Sequence, residues 1–231
     1  MTTIETNLQA VRQRIAAACK AAGRDGSTVQ LLAVSKTFPA SAVREAAAAG
    51  QTQFGENYIQ EAVAKISALV RGGMVWHCIG PVQSNKTRLV AEHFDWVQSV
   101  DRLKIAQRLN DQRPSALAPL QVCIQVNTDG GPTKAGVTPE ELPALAHAVA
   151  QLPRLRLRGL MTIPEPAADL ESACALHRRA AHLLSRLQAD GLALDTLSMG
   201  MSGDLEAAIH AGSTMVRVGT AIFGARAKSA V

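Results

Sequence analysis

The sequence lacks any grouping of cysteines that would indicate a disulfide framework or a zinc site. Its four cysteines lie far apart, without a C-x-x-C motif: Cys19, Cys78, Cys123 and Cys174. Cys78 and Cys123 fall inside apolar runs, where a thiol behaves as a small core side chain. His177 and His182 are five residues apart, so they would not share a helix face as a metal-binding pair does. We therefore predict no metal site and place both histidines at the surface.

Long apolar runs, aromatic residues and clustered positive charge are also scarce. No run of about 18 apolar residues suggests a membrane span, and the start, MTTIETNLQAVRQRIAAACK, has the pattern of an amphipathic helix rather than of a secretion signal. The net charge is +5, but aromatic residues make up only 3% of the chain and the basic residues are scattered. The densest basic group, PRLRLRG, fits one face of a strand. We expect a cytoplasmic protein that binds neither membranes nor nucleic acid.

What the sequence does contain is a regular alternation of short apolar runs and longer amphipathic stretches. The first pairs read VQLLAVS then SAVREAAAAG, TQFGEN then YIQEAVAKISALV, and VWHCIG then SNKTRLVAEH. About eight such strand-plus-helix units follow a leading helix, which is the pattern of a (β/α)₈ barrel of the TIM type. The chain has 231 residues, 47% of them hydrophobic, so it predicts one barrel domain over residues 1–231. A doubly wound open sheet is the alternative.

Polar residues gather where the predicted strands end. Lys36 closes the buried run that begins at Val29, although lysine is among the residues least often buried. Six further strand ends carry polar residues or turns, at 56–58, 77, 127, 161–164, 198–204 and 217–220. Because reactive groups of such barrels lie at the carboxyl ends of the strands, this pattern predicts a ligand site at that end.

Two glycine-containing turns, SMGMSGD after strand seven and RVGTAIFG after strand eight, stand where such barrels bind phosphate. Ser202 is a candidate helix cap, and Gly219 with Thr220 opens the last helix, so hydroxyl and N–H groups would converge on a dianion. A phosphorylated ligand together with a strand-end lysine indicates pyridoxal 5′-phosphate, held on Lys36 as a Schiff base. Arg217, on the same strand face as Gly219, would then donate to the pyridine nitrogen.

Six segments in this order resemble the pyridoxal phosphate homeostasis protein family, also called the YggS or PROSC type: AVSKTFP, FGENYIQEA, HCIGPVQSNK, GLMTIP, LSMGMSGDLEAAI and STMVRVGTAIFGAR. The resemblance spans about residues 5–226. It implies a fold-type III pyridoxal-phosphate-binding barrel similar to the N-terminal domain of alanine racemase, with an extra N-terminal helix. The cofactor contacts that it implies are Lys36, Asn57, His77, Met199, Met201, Ser202, Arg217, Gly219 and Thr220.

One segment departs from the family pattern. In VNTDGGPTKAGV the family has an acidic residue three positions before the lysine, whereas this chain has Gly131 three before Lys134. We therefore do not assign Lys134 as a second cofactor-binding lysine.

Three functions fit these residues. The resemblance implies a carrier or regulator that buffers pyridoxal phosphate and passes it to apo-enzymes, without robust catalysis and with no catalytic residue of its own. An amino-acid racemase is the second, but racemisation needs two bases, and alanine racemases take a tyrosine from an additional β domain of the partner subunit. Tyr58 is the only tyrosine here, and we expect it to pack against the following helix. A barrel acting on another phosphorylated metabolite is the third. Because that β domain is missing, we expect a monomer.

Overall fold

Eight parallel strands close into a barrel in the order β1 to β8 in this computed structural model, which describes residues 2–69, 72–131 and 134–225. The strands are β1 (Gln30–Val34), β2 (Gln53–Glu56), β3 (Val75–Cys78), β4 (Trp96–Val100), β5 (Leu120–Gln125), β6 (Leu155–Met161), β7 (Thr196–Ser198) and β8 (Met215–Val218). Because β8 pairs with β1, the sheet has no free edge. The predicted barrel is confirmed, and the open-sheet alternative is wrong.

Helices surround the barrel and follow its strands. They are α1 (Thr3–Ala21), α2 (Ala40–Ala48), α3 (Ile59–Ala68), α4 (Thr87–His93), α5 (Leu103–Gln112), α6 (Leu142–Ala150), α7 (Leu170–Ala189), α8 (Leu205–His210) and α9 (Thr220–Phe223). The leading helix α1 begins with Thr2, whose side chain accepts a hydrogen bond from the Glu5 N–H. Its buried face, which includes Leu8 and Ile15, packs against α2, α8 and α9.

The strands are buried on both faces, as parallel strands are when helices cover the sheet. Every residue of β4 and of β8 is buried. One large hydrophobic cluster joins the strands to the surrounding helices, and a smaller one holds Trp96, Cys123 and Met161. The helices of the described ranges include none that is both long and apolar enough to cross a bilayer.

Cys78 and Cys123 lie in the core and His182 lies at the surface, as sequence analysis predicted. All four cysteines are buried, and burial raises the pKa of the Cys78 and Cys123 thiols to about 12. His182 is exposed, as expected. The surface position predicted for His177 is wrong, because this residue lies on the inner face of α7 and its Nε2 is 3.0 Å from an Asp204 carboxylate oxygen. The spacing of His177 and His182 bears only on a metal-binding pair, and it gives no information about a hydrogen-bond partner 27 residues away, such as Asp204.

The pairing of β1 places the end of that strand between the ends of β2 and β8. Val34 is in register with Gly55 of β2, and Ala33 is in register with Val218 of β8. Residues 35–37 therefore leave the barrel between the turn that follows β2 and the turn that follows β8. This is the mouth of the barrel, the end at which sequence analysis places the site.

Candidate functional site

Lys36 lies in a tight turn directly after β1. The Phe38 N–H donates to the Ser35 carbonyl across 3.1 Å, and Lys36 itself is half-buried. Thr37 has a φ of 68°, which is unusual for a β-branched residue, and its N–H donates to Glu61 Oε1 across 3.0 Å. The backbone of the turn that carries Lys36 is therefore held in one strained conformation.

A buried ion pair supports this turn from below. Lys65 Nζ lies 2.6 Å from Glu56 Oε1 and also donates to the Ser35 carbonyl at 2.9 Å. The Ser35 hydroxyl donates to the same Glu56 oxygen at 2.6 Å. Burial raises the pKa of Glu56, and the neighbouring Lys65 opposes that shift. Sequence analysis did not assign either member of the pair, because nine residues and a turn separate a strand end from a helical lysine.

Asn57 stands next to Lys36 around the mouth, at the end of β2. Its Oδ1 atom is buried and has no hydrogen-bond partner among the described residues. The Gly80 backbone covers Asn57 so closely that a Cβ at Gly80 would lie 2.3 Å from the Asn57 carbonyl oxygen. The predicted site residue Asn57 is therefore at the end of β2, where its Oδ1 is a buried acceptor without a described partner.

The turns after β7 and β8 come together on the other side of Lys36. Ser202 Oγ and Thr220 Oγ1 are 3.4 Å apart, too far for a strong mutual hydrogen bond. A Cβ at Gly219 would lie 3.1 Å from the Val34 carbonyl oxygen, so glycine lets the two strand ends approach. Gly200 has a φ of 91° and packs against Ala208. The two predicted phosphate turns thus form one cradle with two hydroxyl groups.

Asp204 fixes the shape of this cradle. Its Oδ1 accepts from the Met201 N–H at 2.6 Å, and its Oδ2 bonds His177 of α7. Burial acts to raise the pKa of Asp204, but the hydrogen bonds from His177 and Met201 outweigh it and lower the pKa. The ionised carboxylate therefore ties the turn after β7 to α7. Sequence analysis missed this role of His177.

Arg217 of β8 is almost fully buried, and its side chain points across the barrel interior. Its Nη1 donates to Ser198 Oγ at 2.8 Å and its Nη2 to the Thr162 carbonyl at 2.9 Å. Burial lowers its pKa to about 10, so the guanidinium remains charged at neutral pH. Within the described ranges it has no ion-pair partner. A buried cation in this setting favours an anionic or acceptor ligand.

The remaining predicted residues occupy different depths. Met199 is fully buried, whereas Met201 is exposed over 42% of its surface at the rim. His77 has no exposed surface, and both of its ring nitrogens are occupied, by Gln53 and by Gln98. Its connection to the mouth therefore runs through other side chains. Tyr58 is 52% exposed, so half of its surface is open at the rim, and its packing against the following helix stays a prediction.

Lys134 lies at the rim in a network of carboxylates. Its Nζ is 2.7 Å from Asp129 Oδ2 and 3.0 Å from Glu165 Oε1. Burial acts to lower the pKa of Lys134, but its hydrogen bonds to Asp129 and Glu165 outweigh this and raise the pKa. A protonated, doubly paired amine is a poor nucleophile, which agrees with leaving Lys134 out of the cofactor set.

Taken together, the mouth presents an amine, two hydroxyl groups and a buried guanidinium. These groups are hydrogen-bond donors or cations, so they complement a ligand rich in acceptors and negative charge. Pyridoxal phosphate is such a ligand, because it carries a phosphate, a phenolate, an aldehyde and a ring nitrogen. The residues present therefore fit this cofactor.

Comparison with known proteins finds relatives that match almost the whole chain. Residues 6–227 match the family model described as alanine racemase, N-terminal domain. Among curated relatives, the pyridoxal phosphate homeostasis protein of Pseudomonas aeruginosa is 62% identical over 226 residues, covering 98% of this chain and 97% of the relative. The protein of the same name from Escherichia coli K12 is 56% identical over 229 residues, covering 98% of each chain.

Solved structures extend the likeness to the fold. PipY of Synechococcus elongatus PCC7942 with PLP bound superposes with a TM-score of 0.83 at 40% identity, covering 96% of this chain and all of PipY. Alanine racemase from Corynebacterium glutamicum has a TM-score of 0.67 at 17% identity, and the match covers 99% of this chain but only 62% of the racemase. At that identity the racemase shows a shared fold alone.

Proposed function

This chain belongs to the pyridoxal phosphate homeostasis protein family, and from that premise we propose that it holds pyridoxal 5′-phosphate at the barrel mouth as a carrier in cofactor homeostasis. The observation that carries the proposal is the convergence at one end of the barrel of Lys36, the paired hydroxyls of Ser202 and Thr220, and the buried Arg217. The relatives' name and the PLP-bound PipY structure support the same cofactor.

Each residue has a distinct part in the proposal. Lys36 is the covalent attachment point, as a Schiff base. Ser202, Gly219 and Thr220 hold the phosphate, and Arg217 donates to the ring nitrogen. When bound, the cofactor supplies an electrophilic aldehyde and, because arginine leaves the ring nitrogen unprotonated, only a weak electron sink. Asn57 and Met201 are proposed as further wall contacts, whereas the fully buried His77 and Met199 would support the pocket from behind its wall.

A carrier function also fits the residues at the mouth better than racemisation does. A racemase needs a second base on the opposite face of the substrate, and Tyr58, the only tyrosine in the sequence, is exposed at the rim. An accessible mouth suits exchange of a cofactor better than sequestered chemistry. The proposal includes a monomeric, cytoplasmic protein, organised as one barrel domain, whose partners are apo forms of pyridoxal-phosphate-dependent enzymes.

Cofactor transfer tests this function. Holo-protein incubated with an apo-enzyme that requires pyridoxal phosphate should restore that enzyme's activity, whereas cofactor-free Lys36→Ala protein should not. The same holo-protein is then given a panel of L- and D-amino acids, followed by chiral chromatography and by solvent deuterium exchange at the α-carbon. Turnover near the median enzyme rate of about 10 per second would favour the racemase function instead.

The phosphate assignment makes a second prediction. A Ser202→Ala/Thr220→Ala protein loses up to two charge-assisted hydrogen bonds, each worth roughly 1.5 to 3 kcal/mol, so its affinity for pyridoxal phosphate should fall at least about tenfold. Affinity is measured by spectroscopic titration. Ser185→Ala, which removes an exposed hydroxyl on α7, is the matched control and should bind normally.

Pyridoxal, which lacks the phosphate, separates this role from a general distortion of the mouth. Its binding should respond little to the double substitution. An equal loss of affinity for both ligands would show that the two turns do not hold phosphate.

A further inference from the structure

A row of hydrogen-bonded polar side chains crosses the barrel interior from Arg217 towards the opposite end. Arg217 Nη1 lies 2.8 Å from Ser198 Oγ, and Ser198 Oγ lies 2.6 Å from Gln98 Oε1. Gln98 Nε2 is 2.9 Å from His77 Nδ1, and His77 Nε2 is 2.7 Å from Gln53 Oε1. The five side chains come from β8, β7, β4, β3 and β2, and the link between Ser198 of β7 and Gln98 of β4 joins strands that are not neighbours in the sheet.

The row has only one possible direction at its Arg217 end. A guanidinium has donors and no acceptor, so Ser198 Oγ accepts from Arg217, and its own hydrogen goes to Gln98 Oε1, the one acceptor that it meets among the described residues. Gln98 must then present its carbonyl oxygen to Ser198 and its NH₂ group to His77. His77 accepts at Nδ1, carries its proton on Nε2 and donates to Gln53. Arg217 and Ser198 together thus set both an amide orientation and a histidine tautomer.

Burial makes this arrangement costly to disturb. Ser198, Gln98 and His77 have no exposed surface, so a member left without its partner would lose its hydrogen bond with no water to replace it. Burial lowers the pKa of His77 to about 3, so the imidazole is neutral at physiological pH and Nδ1 stays an acceptor. At the far end, Gln53 lines a cavity of about 310 Å³, where its amide is half-buried.

Building on the proposed function, we infer that Gln98 and Ser198 are positioning residues that hold Arg217 in the orientation in which it donates to the cofactor's ring nitrogen. Two of the guanidinium N–H groups are committed, one to Ser198 and one to the Thr162 carbonyl, which fixes the plane of the group. The remaining donors then have a defined direction. His77 completes the row by accepting from the Gln98 amide, and the Met215 sulfur, 3.0 Å from Gln98 Nε2, favours the same amide orientation.

The inference separates ring-nitrogen recognition from phosphate and aldehyde recognition, so a pair of ligands tests it. Pyridoxal phosphate and its 1-deaza analogue, in which a C–H replaces the ring nitrogen, differ only at the atom that Arg217 contacts. Wild-type protein should bind pyridoxal phosphate at least about tenfold more tightly than the analogue, as expected for one charge-assisted hydrogen bond. Gln98→Met, which keeps the length of the side chain but not its amide, should reduce that preference to less than about threefold.

Two further variants keep the result interpretable. Met215→Leu changes the sulfur that Gln98 Nε2 also contacts, at 3.0 Å, and leaves the row intact, so it should retain the wild-type preference. Ser198→Ala is a smaller change than Gln98→Met and should also lower the preference. It serves as the test if Gln98→Met fails to fold, as judged by thermal unfolding.

The outcomes distinguish the inference from the function on which it rests. A variant that weakens binding of both ligands equally, with the preference retained, would overturn the positioning role and leave the carrier function in place. A wild-type protein that binds both ligands equally would also overturn it, because Arg217 would not then contact the ring nitrogen. A wild-type protein that binds neither ligand would refute the proposed function itself, and the inference with it.

Discussion

Replacing Lys36 with alanine is expected to remove the Schiff-base absorption band of the protein at equimolar pyridoxal phosphate, leaving that of the free aldehyde, and to lower cofactor affinity about a hundredfold, or roughly 2.7 kcal/mol. The substitution deletes the amine that attaches the aldehyde, while the phosphate cradle remains. Lys36 is half-buried at the mouth, so the free energy of unfolding should change by less than about 1 kcal/mol. Spectroscopic titration and thermal unfolding measure the two effects separately.

Two substitutions control for charge and for position. Lys36→Arg keeps a cation but cannot form the covalent bond, so it should behave like the alanine variant in the visible spectrum. Lys134→Ala removes the rim lysine and should leave the band unchanged. Borohydride reduction of the wild-type holo-protein, followed by peptide mass mapping, should place the adduct on the peptide that contains Lys36. An adduct found only at Lys134 or Lys86 would contradict the assignment.

Breaking the buried Glu56–Lys65 pair should have the largest effect on stability. Lys65→Met leaves the Glu56 carboxylate buried without its cation, a change that typically costs about 3 to 5 kcal/mol and here should lower Tm by roughly 10 °C. Lys20→Met, at an exposed position of α1, is the matched control and should unfold like the wild type. The double variant Glu56→Gln/Lys65→Met should recover much of the loss, because it removes both charges.

The loss of stability in Lys65→Met should also depend on pH, and the ionisation of Glu56 determines whether it grows or shrinks as pH rises. Burial raises the pKa of Glu56 in the folded protein, and removing Lys65 removes the group that opposes this shift. A carboxyl group with a raised pKa destabilises the fold fully above its folded pKa, and the penalty decreases as pH falls from the folded pKa towards the unfolded one. The destabilisation of Lys65→Met should therefore be greater at pH 8 than at pH 5.5. A loss that is independent of pH would argue against an unpaired carboxylate as its cause.

The barrel and much of its mouth were predictable because both depend on local patterns. Alternation of apolar runs and amphipathic stretches needs only short windows of sequence, and the strand ends follow from the same pattern. Lys36, Ser202 and Thr220 were found because parallel strands bring their carboxyl ends together. The structure places these residues at one end of the barrel as expected, and the cofactor contacts themselves stay predictions.

The supporting groups were not predictable, because their partners are distant in sequence. Gln98 sits in the run DWVQSV, and nothing in that run says whether its side chain faces the helices or the barrel interior. Its partner Ser198 lies 100 residues further along the chain. His177 was misplaced for the same reason, since its carboxylate partner follows a different strand. Which face of a barrel strand points inwards depends on the tilt of the strands and on how the barrel closes. Neither can be read from a single sequence.

The burial of every cysteine affects how the protein could react with the aldehyde of the proposed cofactor. Thiolates add to aldehydes to form hemithioacetals, so a reactive cysteine on a carrier of an aldehyde would compete with Lys36 and trap the cofactor in the wrong place. Here all four thiols are buried, and the pKa of Cys78 and of Cys123 is raised to about 12, so these two carry almost no thiolate at neutral pH. The packing that stabilises the barrel therefore also prevents these two thiols from competing with Lys36 for the aldehyde of the proposed cofactor.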